Sequence, residues 1–280
     1  MAGYEKNILY HYTDFQALDG ILRQAQLRVN NVLNMNDAAE MRLFMTGLCQ
    51  AVVKRLKEED DPERVEKVLE LFREELKKEF FYSAYAACFS LYRDDAAQWE
   101  RYGNRGRGVC IAFRGDFLEK MAEGELSLQT VFYQDDMTEH PLVDVFYRLI
   151  KGETKLTGTN PRIKGVMKAA WIQSVVFKHP SFSSEREVRL VVSPFEKSYF
   201  DVEPCYHVTV ERIKKYYPLD LMAMCGRIGI TLEELISEII IGPESTQSLA
   251  ILQDYLKDNG MRKLVEHVSL SKCPLRRPLA

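Results

Sequence analysis

The sequence predicts an α+β fold in which helices surround a mixed or antiparallel sheet core. Alternating apolar residues, typical of half-buried strands, occur in Gly108–Phe113 and in Glu187–Ser193. Helical spacing of apolar residues occurs in Pro62–Phe80, whose other faces carry almost only Glu, Lys and Arg. The composition, 46% hydrophobic and 28% charged, is that of a globular chain.

The whole chain, 1–280, is expected to form a single elaborated domain, because no repeat, low-complexity tract or linker interrupts it. Helical insertions are predicted near 50–80 and 114–170. The net charge of -3 provides no overall attraction to nucleic acid or to an anionic membrane. The N-terminus lacks a signal-peptide core, and no apolar stretch approaches the ~18 residues that span a bilayer. We therefore expect a cytoplasmic protein without a membrane partner, and nothing predicts its oligomeric state.

The first element is predicted to be a strand, Ile8–Tyr12, that runs directly into a helix. Thr13, with Gln16 three residues later, matches a capping box at the start of that helix. The apolar residues of the helix share one face: Phe15, Leu18, Ile21 and Leu22. His11 would then lie at a strand-to-helix corner.

A second strand is predicted at Leu27–Leu33. Asn36 and Asp37 follow it and indicate a turn or a helix cap, with Glu40 at capping distance from Asp37. The long helical stretch beyond them, which includes Pro62–Phe80, is predicted to be structural.

Ala84–Ser90 and Gly108–Phe113 are predicted strands, joined by a short helix that ends at a glycine. This helix carries Trp99 and Tyr102, three residues apart. Core residues use the same spacing, so the pair is interpreted either as core packing or as an aromatic wall for a planar ligand.

In Glu187–Ser193 three apolar residues, Val188, Leu190 and Val192, would face a core. Glu187, Arg189 and Val191 would then lie on the other side. Glu185 joins that side if the strand begins two residues earlier. Because glutamate is poorly suited to a half-buried pleated surface, this side indicates either an edge ion pair or a functional site.

The C-terminal third of the chain is predicted to contain short strands and helices. They are a strand at Tyr206–Val210, a helix at Thr231–Ser237 with a capping box of Thr231 and Glu234, a strand at Glu238–Ile241, a helix near Ser245–Asn259 and a last strand at Leu264–Leu270.

Six cysteines and five histidines are scattered singly, without a C-x-x-C pair. Metal sites usually bring such residues together at short, regular spacings. We therefore expect no metal.

Together these clusters are consistent with cleavage of nicotinamide from a dinucleotide such as NAD. Breaking that C–N bond develops oxocarbenium character on the ribose, which a neighbouring carboxylate stabilises, and Glu187 is the candidate. His11 and Thr13 would hydrogen-bond ribose hydroxyls and the carboxamide. Aromatic rings such as Tyr12, Trp99 or Tyr102 would stack on the base, and Arg189 would neutralise the diphosphate.

A second hypothesis comes from a repeated pattern. Tyr206-His207-Val208-Thr209 repeats the Tyr-His-x-Thr of residues 10–13. Two His-x-Thr strands facing one phosphate are the arrangement of 2H phosphoesterases, in which one histidine is general base and the other general acid. The pair would be His11 and His207.

A series of short motifs in order resembles domain-of-unknown-function family 2971 over nearly the whole chain. The motifs are Tyr10-His11-Tyr12-Thr13, Asn36-Asp37 with Glu40, Cys88-Phe89-Ser90, Trp99 with Tyr102, Gly108–Phe113, Glu185 with Glu187 and Arg189, Ile239–Gly242 and Ser271–Arg276. That family has no assigned general activity.

A second resemblance is to the ADP-ribosyltransferase superfamily. There a His-x-Thr strand leading into a helix opens the fold and a late strand carries the catalytic glutamate, which match His11 and Glu187. The resemblance implies a fold of that type, NAD as substrate, a protein or nucleic-acid acceptor, and relatives in toxin or phage-defence systems. The chain departs from the superfamily at Asn34–Asp37, where the middle motif has Tyr or Ser on a strand.

A third hypothesis is a non-enzymatic nucleotide-binding or defence-sensor module that uses the same residues as a ligand pocket. Both enzyme hypotheses require their residues to meet in one concave pocket. His11 must meet Glu187 for NAD chemistry or His207 for phosphodiester chemistry.

Overall fold

The computed structural model describes residues 8–32, 40–77, 84–122, 126–154, 156–192, 203–210 and 212–275. Its strands are β1 Ile8–Thr13, β2 Gln26–Asn31, β3 Tyr85–Ser90, β4 Val109–Arg114, β5 Leu126–Thr130, β6 Phe132–Tyr133, β7 Phe177–Lys178, β8 Glu187–Val192, β9 Cys205–Val208, β10 Ile213–Asp220, β11 Ile236–Ile241 and β12 Val268–Leu270. Its α-helices are α1 Phe15–Arg23, α2 Glu40–Glu58, α3 Pro62–Leu76, α4 Ala96–Arg101, α5 Gly115–Met121, α6 Pro141–Gly152, α7 Pro161–Ser174, α8 Leu221–Ile228, α9 Leu232–Leu235 and α10 Leu249–Asp258. Two 3-10 helices span Pro180–Glu185 and Arg262–His267.

Most of the strands form one mixed sheet, which confirms the predicted α+β class with a mixed sheet core. Its order is β12-β11-β4-β1-β3-β2-β10-β9, and β8 and β5 continue it from β3. Neighbours are antiparallel except for the parallel pair β11 and β12. β6 and β7 form a separate parallel pair.

The sheet is forked at β3. β8 pairs with β3 along its whole length, from Tyr85 to Ser90. The other edge of β3 is shared, because Ser90 lies opposite Tyr10 of β1 while Tyr85 and Ala86 lie opposite the end of β2. Between these contacts β1 and β2 diverge, and α1 connects the end of one to the start of the other. A gap therefore opens in the sheet beside residues 87–89.

Apolar layers cover both faces of the sheet, whereas the strand alternation predicted half-buried strands; β8, for example, is buried on both faces. The first core combines one face of the central strands with α1, α5, α8 and α10, and contains Leu18, Phe89 and Ile111. The second lies on the opposite face under α2, α3, α6 and α7, and contains Leu48 and Trp171. Two neighbouring residues of β8 divide between the layers, Leu190 into the first and Val191 into the second. One sheet thus serves both cores.

The predicted cap of α1 is wrong. Thr13 is the last residue of β1, and Asp14 is the N-cap, since its carboxylate accepts a hydrogen bond from the Ala17 amide at 2.8 Å. The predicted apolar face is confirmed, with Leu18, Ile21 and Leu22 buried. Because Thr13 belongs to the strand, its side chain lies beside the gap in the sheet and does not cap the helix.

The region 114–170 is only partly the predicted helical insertion. It contains α5, α6 and part of α7, but β5 pairs with β8 as a member of the main sheet. Its residues Leu126–Thr130 alternate too weakly to predict a strand, because only Leu126 is buried there. The prediction also omitted β10 and α8.

Two smaller differences concern helix faces and ends. In α3 the apolar residues Val65, Val68 and Phe72 are buried as predicted, but Leu69, predicted to lie on the same face, is exposed and Leu71 is buried instead. The predicted last strand Leu264–Leu270 is a 3-10 helix followed by the three-residue β12.

Among the described residues no helix is both long enough and apolar enough to cross a membrane.

Candidate functional site

The fork in the sheet holds a cavity of about 310 Å³, the lower end of the size range of small-molecule sites. Strands β1, β2, β3 and β8 line it, together with α1, the 3-10 helix Pro180–Glu185 and strands β9 and β10. Because α1 bridges the diverging strands, it covers one end of the gap with Ala17, Gly20 and Ile21. The cavity reaches both faces of the sheet through the gap.

His11 and Glu187 both line this cavity, as the dinucleotide hypothesis requires. Tyr10, Ser90 and Glu187 lie opposite one another on adjacent antiparallel strands, so their side chains share a face. His11 alternates to the other face, where its ring lies 5.7 Å from that of Phe89. The two residues therefore reach the cavity from the two faces of the sheet.

A hydrogen bond to the backbone of β3 fixes the tautomer of His11. Where β1 leaves β3, the His11 Nδ1 lies 2.9 Å from the carbonyl oxygen of Cys88. A carbonyl only accepts, so Nδ1 carries the proton and Nε2 is left as an acceptor in the neutral ring. Burial lowers the pKa of His11 and outweighs the opposing effect of the Cys88 carbonyl. The imidazole is neutral at pH 7.

Glu187 belongs to a buried ion cluster that we define as Arg101, Lys178, Glu185, Glu187 and Arg189. Arg189 binds the Glu187 carboxylate with two nitrogens, Nε at 2.9 Å and Nη2 at 3.1 Å. Lys178 Nζ bridges the two glutamates, 2.6 Å from Glu185 Oε2 and 2.9 Å from Glu187 Oε2. Arg101 reaches the remaining oxygen of Glu185 at 3.0 Å. Three cations thus surround two carboxylates.

The cluster keeps Glu187 ionised. Burial alone raises the pKa of Glu187, but the charges of Arg189 and Lys178 and hydrogen bonds from Arg189 and Cys88 outweigh it and lower the pKa to about 2. The backbone amide of Glu187 donates to the Tyr133 hydroxyl at 2.9 Å, which fixes the start of β8. The carboxylate is therefore charged and fixed in position.

A strained residue brings the two glutamates together. Arg186, between them, has φ 44 and ψ 50, the left-handed conformation that a non-glycine residue rarely adopts. This reversal ends the 3-10 helix and starts β8, so Glu185 meets Lys178 although it does not belong to the strand. The main-chain carbonyl of Glu185 is held in addition by Ser90 Oγ at 2.8 Å and Gln98 Nε2 at 3.1 Å.

The two aromatic residues of α4 and its end have different surroundings. Tyr102 lines the cavity, and its hydroxyl donates to Glu185 Oε1 at 2.8 Å. Trp99 is fully buried in a small third core, edge-on to Tyr12, with its indole N–H donating to Asp94. Stacking of Trp99 on a ligand is thereby excluded, and the core-packing interpretation holds for it. Phe182, which the sequence did not single out, lines the cavity instead.

The other predicted site residues divide between the cavity and the undescribed segments. Tyr12, Thr13, Glu185 and Arg189 line the cavity. The hydroxyl of Tyr12 is already engaged, donating to the Tyr92 carbonyl and accepting from the Asp95 amide. Asn36 and Asp37 lie outside the described residues.

His207, the partner in the phosphoesterase hypothesis, lines the same cavity as His11. Its companion Thr209 does not line the cavity. The Thr209 hydroxyl instead donates to the Arg212 carbonyl and accepts from the Arg212 amide in a turn. The second motif therefore brings its histidine to the cavity without its threonine.

Lys178, which bridges the two carboxylates, is a site residue that the sequence prediction missed. One signal for it exists, since Lys178 ends the apolar run Val175–Phe177 and a lysine in such a run needs a carboxylate partner. Its partner could not be read from the sequence. Within the part of the chain that the structure describes, no group of His, Cys, Asp and Glu side chains has the arrangement of a metal site.

A model of the protein family described as "Protein of unknown function (DUF2971)" matches residues 98–190. The match covers less than half of the chain, not nearly all of it as the ordered motifs indicated. It includes every member of the buried ion cluster and excludes β1 with His11. No curated protein and no solved structure matches the chain.

Proposed function

We propose that the cavity binds a dinucleotide such as NAD and that the protein cleaves its ribose–nicotinamide bond, transferring ADP-ribose to a protein, a nucleic acid or water. The observation that carries this proposal is that chemically suited side chains from distant parts of the chain meet in one cavity. His11 and Thr13 of β1, Tyr102 and Glu187 come from three distant parts of the chain and line one cavity. They supply the hydroxyl-binding, aromatic and carboxylate groups that such a reaction uses.

The reaction breaks the bond between ribose C1' and the nicotinamide nitrogen. Its electron pair leaves with the nicotinamide, which becomes neutral, and C1' shares its positive charge with the ring oxygen. The acceptor oxygen or nitrogen then bonds to C1' and loses a proton. A fixed negative charge beside the ribose lowers the energy of this transition state more than that of bound NAD.

Glu187 supplies that charge. Its low pKa keeps it ionised at every physiological pH, and its contacts with Arg189 hold it without reorganisation. On the opposite side of the gap His11 Nε2 is an acceptor for a ribose hydroxyl. Tyr102 and Phe182 provide aromatic surface for the planar base.

Glu187→Gln tests this proposal. The variant keeps the shape of the side chain and removes its charge, so we expect nicotinamide release from NAD to fall by at least ~100-fold. Release is measured by chromatography, with circular dichroism to confirm folding. Glu238→Gln is the matched control, because Glu238 also lies on a sheet strand and pairs with an arginine, Arg93, but does not line the cavity.

The control should turn over NAD as the wild type does. Equal turnover by Glu187→Gln and wild type contradicts the role of Glu187. If the wild type releases no nicotinamide with any acceptor tested, the catalytic proposal is wrong.

One observation favours a second candidate, a nucleotide-binding module without catalysis. Arg189 and Lys178 already neutralise the Glu187 carboxylate, which weakens its attraction for a developing cation. Under this alternative, calorimetry detects NAD binding to the wild type while nicotinamide release stays at the uncatalysed level.

A further inference from the structure

Three strands beside the fork form a basic wing of the cavity, which we define by Arg28 on β2, Lys214 on β10 and His207 on β9. Lys214 lies directly opposite His207 in the β9–β10 ladder. Arg28 lies opposite Pro218, four residues further along β10. Since residues two apart on a strand share a face, all three side chains project from one face of the sheet. All three line the cavity.

The guanidinium of Arg28 lies over the ring of Tyr216, 4.9 Å from its centroid. Tyr216 stands between Lys214 and Pro218 on the same face of β10, the strand that lies between β2 with Arg28 and β9 with His207. This stacking restricts the long side chain and reduces the entropy lost when it binds a ligand.

The wing differs in charge from the Glu187 end of the cavity. At that end Glu185 and Glu187 offset Lys178 and Arg189. Of the described residues that β2, β9 and β10 contribute to the lining, none is a carboxylate. Arg28 and Lys214 make the described part of this wall basic, which favours an anionic part of a ligand.

The wing and Glu187 lie on opposite sides of β3. β8 pairs with one edge of β3, whereas β2 pairs with the other and β10 follows β2. Where β2 pairs with β3, at Tyr85 and Ala86, three interstrand spacings of ~4.8 Å separate β8 from β10, roughly 14 Å between the two strands, and the gap beside residues 87–89 adds to this. Long side chains on both sides of the cavity suit a ligand whose anionic group lies well away from its reacting ribose.

We propose that Arg28, His207 and Lys214 bind the diphosphate group of the nucleotide, while the Glu187 end receives the ribose and base to be cleaved. The choice of a nucleotide rests on the proposed function, but the basic wing is tested without turnover. Arginine and lysine bind phosphate oxygens through charge-assisted hydrogen bonds, and His207 adds a further donor. This assignment replaces the predicted role of Arg189 as diphosphate ligand, since Arg189 is fully buried and holds Glu187.

The experiment measures binding of ADP, inorganic pyrophosphate and adenosine by isothermal titration calorimetry. Lys214→Gln and Arg28→Gln should each weaken ADP and pyrophosphate by about tenfold, because each removes one charged hydrogen bond. Adenosine, which lacks phosphate, should bind equally to all variants. Lys215→Gln is the matched control, since Lys215 is the neighbour of Lys214 on the opposite face and lies over Tyr217.

Unchanged ADP affinity in both basic-wing variants overturns the inference, as does a wild type that binds neither ADP nor pyrophosphate. A loss of affinity for a single-stranded oligonucleotide without any loss for ADP also overturns it, and assigns the wing to an acceptor. The proposed function fails separately. If ADP binds through the wing but NAD is never cleaved, the inference stands and the catalytic proposal falls.

Discussion

At the scale of single residues, Lys178 connects the two acidic side chains of the site. Its ammonium group contacts both Glu185 and Glu187, and its side chain is 5% exposed. A buried charge is tolerated only when it is paired and hydrogen-bonded, so each member of the cluster depends on the others. Arg101, at 43% exposed, is the member in contact with water.

Replacing Lys178 by methionine should lower the free energy of unfolding by about 3 kcal/mol, because two buried carboxylates lose a shared cation. Arg101→Met removes a cation from the same cluster at its exposed rim, where solvent screening reduces the cost to less than ~1 kcal/mol. Urea denaturation of both variants measures the difference. Equal losses would mean that the buried and exposed cations contribute alike, contrary to this account.

At the scale of elements, the start of α1 positions the end of β1. The Asp14 side chain caps the helix at Ala17, and Thr13 stays in the strand and lines the cavity. The capping box that the sequence does predict correctly is that of α9, where Thr231 and Glu234 bond reciprocally. The same residue types at similar spacing thus cap one helix and not the other.

Asp14→Ala should cost about 1 kcal/mol of stability, whereas Asp14→Asn should cost little, because asparagine caps a helix as well as aspartate. Thr13→Ala should cost less than Asp14→Ala. The comparison uses thermal or urea unfolding of the three variants. If Thr13→Ala proved the more harmful and Asp14→Ala neutral, the cap would belong to Thr13 after all.

At the scale of the whole molecule, most of the described strands form one sheet with a core on each face. Because adjacent residues of β8 enter opposite cores, loosening one layer disturbs the strand that supports the other. The single domain expected from the sequence stays a prediction, which the cooperativity of unfolding tests.

Unfolding is therefore expected to be one transition, even though chains of this size often have intermediates. Leu48→Ala in the second core and Ile111→Val in the first should both shift that same transition, by about 2 to 5 and about 1 kcal/mol respectively. Far-UV and near-UV circular dichroism should give coincident curves. Two separable transitions, each sensitive to only one variant, would show two domains.

The sequence by itself determined what depends on neighbours along the chain. Alternation in β4 and β8 and helical spacing in α1 and α3 identify these elements, and in α1 also the buried face, because a strand repeats every two residues and a helix every 3.6. It also indicated that His11, Glu185, Glu187 and Arg189 were worth attention, since polar residues on apolar elements need an explanation. The weakly alternating β5 escaped this reasoning.

Only the tertiary structure decided which residues meet. The fork at β3 follows from two strands, β1 and β2, that share one edge, and no local pattern in either strand encodes that competition. It brings His11 and Glu187 to one cavity, buries Trp99 away from it and pairs Glu187 with a lysine that the sequence did not assign. Strand pairing and ion pairing join residues that are distant along the chain. Which partners pair is decided by the free energy of contacts that form only as the chain folds.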